Sequence, residues 1–119
     1  HYADSKFLFP IINNESEAVK KVKDYLHANV GRDVRLEELA SLVALSRAYL
    51  IRSFKKATGL PPHAYFLQLK LSEAKRCLMR EETISQVALL TGFADQSHFS
   101  RAFKTAYGLT PAQYAKANE

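Results

Sequence analysis

The side chains best placed to do chemistry in this sequence are basic, and they recur. Arg52 and Arg101 each stand two residues before a Phe-Lys pair, Phe54-Lys55 and Phe103-Lys104. Such groups at matched steps suit a polyanion: an arginine fork pairs with a phosphate or a base edge, and a lysine acts as a point charge. Other chemistries find little to build on. The histidines are His1, His27, His63 and His98 and the single cysteine is Cys77, with no pair at metal-ligand spacing, so no metal site is expected. Asp95, Ser97 and His98 include triad residue types. They are nearly consecutive at a helix start, however, where Asp95 reads as a cap and Ser97 as a phosphate or base contact. There is no Gly-rich phosphate loop. No catalytic residue and no cofactor is expected, and the chain does not read as an enzyme.

Bulk properties agree with a soluble partner for a polyanion. The chain has 119 residues, 47% hydrophobic and 24% charged, enough to bury a core. Lys and Arg total 17 against 12 Asp and Glu, for a net charge of +5. The excess is one band: residues 1–45 and 81–119 each sum to −1, whereas residues 46–80 sum to +7. A solvated helix face is the plain alternative for such a band. A lone Cys77 cannot close an internal disulfide, so it reads as a packed core thiol in a reducing, cytoplasmic setting. No apolar run approaches the roughly 20 residues of a membrane span. The chain begins at His1 rather than Met and is expected to come from a longer protein.

The elements that must position the basic side chains are helical. Ala18, Val19, Val22, Tyr25 and Leu26 recur at three- and four-residue steps, with Asn14 or Ser16 as N-cap and Gly31 as stop. Leu36, Leu39, Ala40 and Val43 mark a short second helix. Ser46 caps a third, with Leu50, Phe54 and Ala57 inward and Gly59 at its end. Leu67, Leu71, Ala74 and Leu78 line a helix over 62–80, about 28 Å long. Thr83 and Gln86 form a capping box for a helix through Val87, Ala88 and Leu90; Asp95 caps another with Phe99, Phe103 and Ala106 inward, ended by Gly108. No stretch alternates with period two, and the expected fold is all-α.

The pattern occurs twice. Phe54-Lys55-x-x-x-Gly59-Leu60-x-Pro62-x-x-Tyr65 returns as Phe103-Lys104-x-x-x-Gly108-Leu109-x-Pro111-x-x-Tyr114, 49 residues on. Leu36-x-x-Leu39-Ala40-x-Leu42 returns as Ile84-x-x-Val87-Ala88-x-Leu90, 48 residues on. A duplicated short helix, tight turn and longer amphipathic helix is the helix-turn-helix plan, in which the second helix enters the DNA major groove. The residues facing out, and so the expected DNA contacts, are Arg47, Ala48, Ile51, Arg52 and Lys55 in the first copy. In the second they are Gln96, Ser97, Ser100, Arg101 and Lys104. Ordinary surface positions on packed helices are the alternative, weakened because both copies repeat outer chemistry and inner core. A dimerisation module with an acidic partner gives no reason for that repeat. Tyr65 and Tyr114, at equivalent places, read as packing residues.

The stretch Gly92-Phe93-Ala94-Asp95-Gln96-Ser97-His98-Phe99-Ser100-Arg101-Ala102-Phe103-Lys104, continuing to Gly108-Leu109-Thr110-Pro111 and Tyr114, resembles the DNA-binding domain of the AraC/XylS family of bacterial transcription regulators. The resemblance covers about residues 17 to 116. It implies seven helices in two homeodomain-like helix-turn-helix subdomains (16–61 and 81–119) joined by a linker helix (62–80), after an extended leader (1–15). It also implies double-stranded promoter DNA as partner, contacts with RNA polymerase, and a sensing domain before His1. On that reading this piece is monomeric, and the full-length protein dimerises through the preceding domain. Four positions depart from the pattern. Ala44 stands where the second copy has Gly92, which strains the first turn, and Arg35 stands where a Ser or Thr cap is usual. Ala48 and Ile51 are short or apolar where a direct reader is often polar, suited to thymine methyls and not to bidentate hydrogen bonds.

Overall fold

The computed structural model describes the backbone of residues 8–118 and the side chains of residues 17–118. The described residues form seven helices and no strand: α1 (Leu8–Ala28), α2 (Leu36–Val43), α3 (Arg47–Thr58), α4 (Pro62–Leu78), α5 (Ile84–Leu90), α6 (Gln96–Tyr107) and α7 (Pro111–Ala117). They gather into two compact units. One holds α1, α2, α3 and the first turn of α4 to Tyr65; the other holds the Asn29–Asp33 loop and everything from Phe66.

The caps act where their residue types predict. The Ser46 hydroxyl accepts from the Tyr49 amide at 3.1 Å and opens α3. The Asp95 carboxylate accepts from the His98 amide at 2.7 Å and opens α6. Thr83 with Gln86 forms a reciprocal capping box at α5, and Thr110 with Gln113 repeats it at α7. Gly59 and Gly108 end α3 and α6 in the left-handed region, at φ 88° and 80°. Arg35 gives α2 no side-chain cap; Glu37 and Glu38 in its first turn oppose the helix dipole instead.

In the first unit, α1 packs on α2 and α3, burying Val19, Val22, Leu26, Leu39, Ala40, Leu50 and Phe54. In the second, Leu71, Ala74, Cys77 and Leu78 of α4 meet Val87, Ala88, Phe93, Phe99 and Phe103. Each fully buried Leu or Phe contributes about 1.5–3 kcal/mol. Both units repeat one aromatic contact: Tyr65 sets its edge against Phe54 (5.2 Å between centroids) and Tyr114 against Phe103 (5.5 Å). Cys77 is a core thiol, pushed up in pKa chiefly by burial and then by Glu73.

Several sequence expectations need correction. Ala57 and Ala106 are exposed, not inward. The inward row climbs in steps of four, so Thr58 takes the place of Ala57, donating its hydroxyl to the Phe54 carbonyl at 2.8 Å. On α6 the residue four after Phe103 is Tyr107, which is 38% exposed but sets its ring edgewise to Phe103 at 4.8 Å. Leu67 is exposed because Phe66 and Lys70 occupy the inward row of α4, and Leu90 is exposed because Thr91 turns in beneath Val87. The helix expected over 62–80 ends at Leu78. Residues 8–15, expected as extended leader, are helical: α1 starts well before Asn14 or Ser16, and Pro10 falls in its first turn, where a missing N–H is tolerated. Residues 1–7, the rest of that leader, lie outside the described residues.

The two helix-helix turns are built alike but filled differently. Ala44 (φ 56°) and Gly92 (φ 75°) both adopt the left-handed conformation. For Ala44 this costs about 1–2 kcal/mol. Gly92 is further constrained: a Cβ there would lie 2.5 Å from Lys70 Nζ and 3.0 Å from the Arg32 amide nitrogen. The Lys70 ammonium, only 7% exposed, donates to the carbonyls of Val30 (2.7 Å), Arg32 (2.9 Å) and Thr91 (3.0 Å) and lies 4.2 Å over the Phe66 ring. Burial pushes its pKa down to about 8, against the opposing pull of Asp33.

Ala44→Gly should raise stability by about 0.5–1 kcal/mol in denaturant unfolding, whereas Gly92→Ala should lower it by about 2–4 kcal/mol through strain and overpacking. Equal, small effects would contradict the crowding at Gly92. Lys70→Met, which keeps the apolar stem, should cost about 2–4 kcal/mol by leaving three carbonyls without their donor. Because the folded state gives up the Lys70 proton near pH 8 and the unfolded chain only near 10.5, the stability gap between wild type and Lys70→Met should widen as pH rises between those values. A gap that narrows over that range would contradict the burial.

Candidate nucleic-acid interface

Helices α3 and α6 are each anchored from below and bare above. Leu50 and Phe54 under α3, and Phe99 and Phe103 under α6, are fully buried, which fixes each helix's rotation and sends the opposite face to solvent. On α3, Arg47, Ala48, Arg52 and Lys55 are exposed and Ile51 is half-buried; on α6, Gln96, Ser97, Arg101 and Lys104 are exposed and Ser100 is half-buried. All ten residues expected to face out therefore reach solvent, the equivalent pair Ile51 and Ser100 only in part.

The two faces differ in charge. In 12 residues each, α3 carries Arg47, Arg52, Lys55 and Lys56 with no acid, and α6 carries Arg101 and Lys104 with none. Arg47 is engaged: its guanidinium donates to the Glu37 carboxylate at 3.0 Å, with both side chains 62% exposed. A backbone hydrogen bond, and after it Arg47, holds the Glu37 carboxyl below its ordinary pKa. Such an exposed pair is worth little, so Arg47 can exchange it for another anion. Arg52 has no carboxylate partner among the described residues and sits 5.9 Å from the centre of the Tyr49 ring.

Three residues of this face escaped the sequence reading: Tyr49, which is 50% exposed, Ser53 and Lys56. With Arg52 they line a concavity of about 310 Å³ on the flank of α3. The comparison of the two repeats hid them, because their counterparts are His98, Ala102 and Thr105. A helical wheel drawn for α3 alone would have shown them beside Arg52. His98 is committed elsewhere, edge-on to Phe93 at 5.4 Å.

Among the described residues no group of His, Cys, Asp and Glu could hold a metal ion, and no helix is long and apolar enough to cross a membrane. The arrangement offers two convex, basic helix faces with amide, hydroxyl and guanidinium donors. Each is about the width of a B-DNA major groove.

A helix-turn-helix domain family matches residues 39–117. The probable transcriptional regulator LumQ of Photobacterium leiognathi is 35% identical over 94 residues, covering 78% of this chain but 38% of LumQ, so the chain spans under half the length of that relative. A crystal structure of a transcriptional regulator from Chromobacterium violaceum, one of the AraC-type DNA-binding-domain proteins, superposes with a TM-score of 0.79 at 27% identity, covering 87% of this chain and 94% of that one. The DNA-binding domain of AdpA, solved in complex with a target DNA, has the same fold (TM-score 0.80, 24% identity, 83% and 90% covered). With two helix-turn-helix units, a family match over most of the chain and AraC-type structural neighbours, the chain belongs to the AraC/XylS-type helix-turn-helix family, the DNA-binding domains of transcriptional regulators.

Proposed function

We propose that this domain binds a specific, asymmetric promoter site as a monomer, with α3 and α6 each in the major groove at one of two half-sites. The observation that carries this reading is the repeat of an uncovered basic helix on a buried aromatic anchor, once per unit. Arg52 and Arg101 are assigned as base readers, since a guanidinium at the centre of the outer face can take guanine bidentately. Gln96, Ser97 and Ser100 add polar readout. Ala48 and Ile51 are suited only to thymine methyl groups. Arg47, Lys55 and Lys104 are assigned to phosphates, which position the helices without reading sequence. The different outer faces call for two different half-sites, about one helical turn or 10 base pairs apart. The segment 62–80, containing α4, is assigned as linker. In the longer regulator, a preceding sensing domain would supply dimerisation, and contact with RNA polymerase would couple binding to transcription, in the bacterial cytoplasm.

Binding measured against salt tests this directly. With about six phosphates neutralised, the log–log slope should be near −5 for a selected operator; a flat titration would sink the reading. Arg52→Ala and Arg101→Ala should each weaken operator binding by about 1–3 kcal/mol with a smaller loss on random duplex, whereas Lys55→Ala and Lys104→Ala should weaken both alike. Equal loss on both duplexes for Arg101→Ala would reassign it to a phosphate.

A further inference from the structure

We infer that the Tyr49–Ser53–Lys56 flank of α3 is a second phosphate-binding strip, gripping the groove wall opposite the one met by Lys55, and that α6 has no such strip. The inference rests on the DNA-binding reading above and adds to it a set of contacts and a difference between the helices. A helix of about 10–12 Å diameter fills a major groove about 12 Å wide, so its two flanks meet the two phosphate walls while its centre meets the bases. At 100° per residue, Lys55 and Lys56 fall on opposite sides of Arg52, about 60° one way and 40° the other. Tyr49 and Ser53 lie on the Lys56 side. These side chains line one concavity of about 310 Å³ with Arg52.

The chemistry of that shallow concavity suits an anion. It offers an ammonium, a guanidinium and two hydroxyl donors, and no carboxylate. Lys56 has no acidic partner among the described residues, unlike Lys20 (with Asp24) or Arg47 (with Glu37), so no internal anion competes for it. The Tyr49 ring, 5.9 Å from the Arg52 guanidinium, gives that side chain a face to lie on. On α6 the corresponding places are His98, packed on Phe93, together with Ala102 and Thr105, so the cation and both hydroxyl partners of the strip are not reproduced. The first helix-turn-helix therefore supplies more sequence-independent attraction than the second.

The test compares wild type, Lys56→Ala and Lys20→Ala on an operator selected by the protein from random duplexes, and on random duplex itself, from 50 to 200 mM salt. Each phosphate contact removes about 0.9 from the log–log slope, so the Kd ratio of Lys56→Ala to wild type should shrink about 3.5-fold across that range, by the same factor on both duplexes. Lys20→Ala, with the same charge change in the same unit, should keep a constant ratio. An unchanged ratio for Lys56→Ala, a loss confined to the operator, or an equal shift for Lys20→Ala would overturn the strip while wild-type binding kept the DNA reading intact. Failure of wild type to bind either duplex would overturn the reading itself and the strip with it.

Discussion

Each helix-turn-helix here depends on one residue held in the left-handed conformation, because only that bend lets a short helix brace a longer one and still leave the longer one's outer face bare. Ala44 and Gly92 occupy that place, and their surroundings explain why they differ. Around Ala44 the side chain is exposed, so a methyl group is tolerated at the cost of backbone strain. Around Gly92 the backbone of Gly31 and Arg32 closes to 3.0 Å and the Lys70 ammonium to 2.5 Å of where a methyl would sit, so a methyl there would have to push the ammonium off its carbonyls. That ammonium joins Val30, Arg32 and Thr91 through their carbonyls, which makes the loop after α1 part of the second unit's turn. A buried cation is tolerated because it is fully hydrogen-bonded to groups that would otherwise be orphaned.

From these turns the division of labour follows. Buried aromatics set the rotation of α3 and α6, Tyr65 and Tyr114 brace those aromatics in the same way, and the charge stays on the surface that remains. The internal scaffold is duplicated while the outer faces have diverged. One helix is dense in cations and short of base-reading groups, with Ala48 and Ile51 where hydrogen bonds would specify. The other has fewer cations and a row of amide, hydroxyl and guanidinium donors. On the DNA-binding reading proposed above, affinity would be weighted to α3 and sequence discrimination to α6.

Much of this was legible in the sequence, for physical reasons that are local. Caps are set by one side chain and an amide two or three residues on, so Ser46, Thr83 and Asp95 and the stops Gly59 and Gly108 could be read directly. The repeat exposed Phe54, Phe103, Tyr65 and Tyr114 as one scaffold used twice. What could not be read depends on distant partners. Lys70 is buried because carbonyls from residues 30, 32 and 91 converge on it, and no periodicity marks a lysine for the core. An apolar side chain at a three-residue step fits a stripe as well as one at four, so Ala57 and Ala106 read as inward until the neighbouring helices decide, and Leu67, four residues before Leu71, gives way to Phe66 and Lys70. Tyr49 and Lys56 carry no repeat signal, because their counterparts in the second copy are His98 and Thr105.

If both helices read DNA on one face of the duplex, as proposed, moving the half-sites relative to one another must break the match. With an operator selected by the wild-type domain, five base pairs inserted between the half-sites turn one of them to the opposite face. The account predicts that affinity then falls to that of a single unit, matching a duplex with one half-site scrambled. Undiminished binding to the insertion duplex would contradict it and leave one reading helix, the one that begins after Asp95.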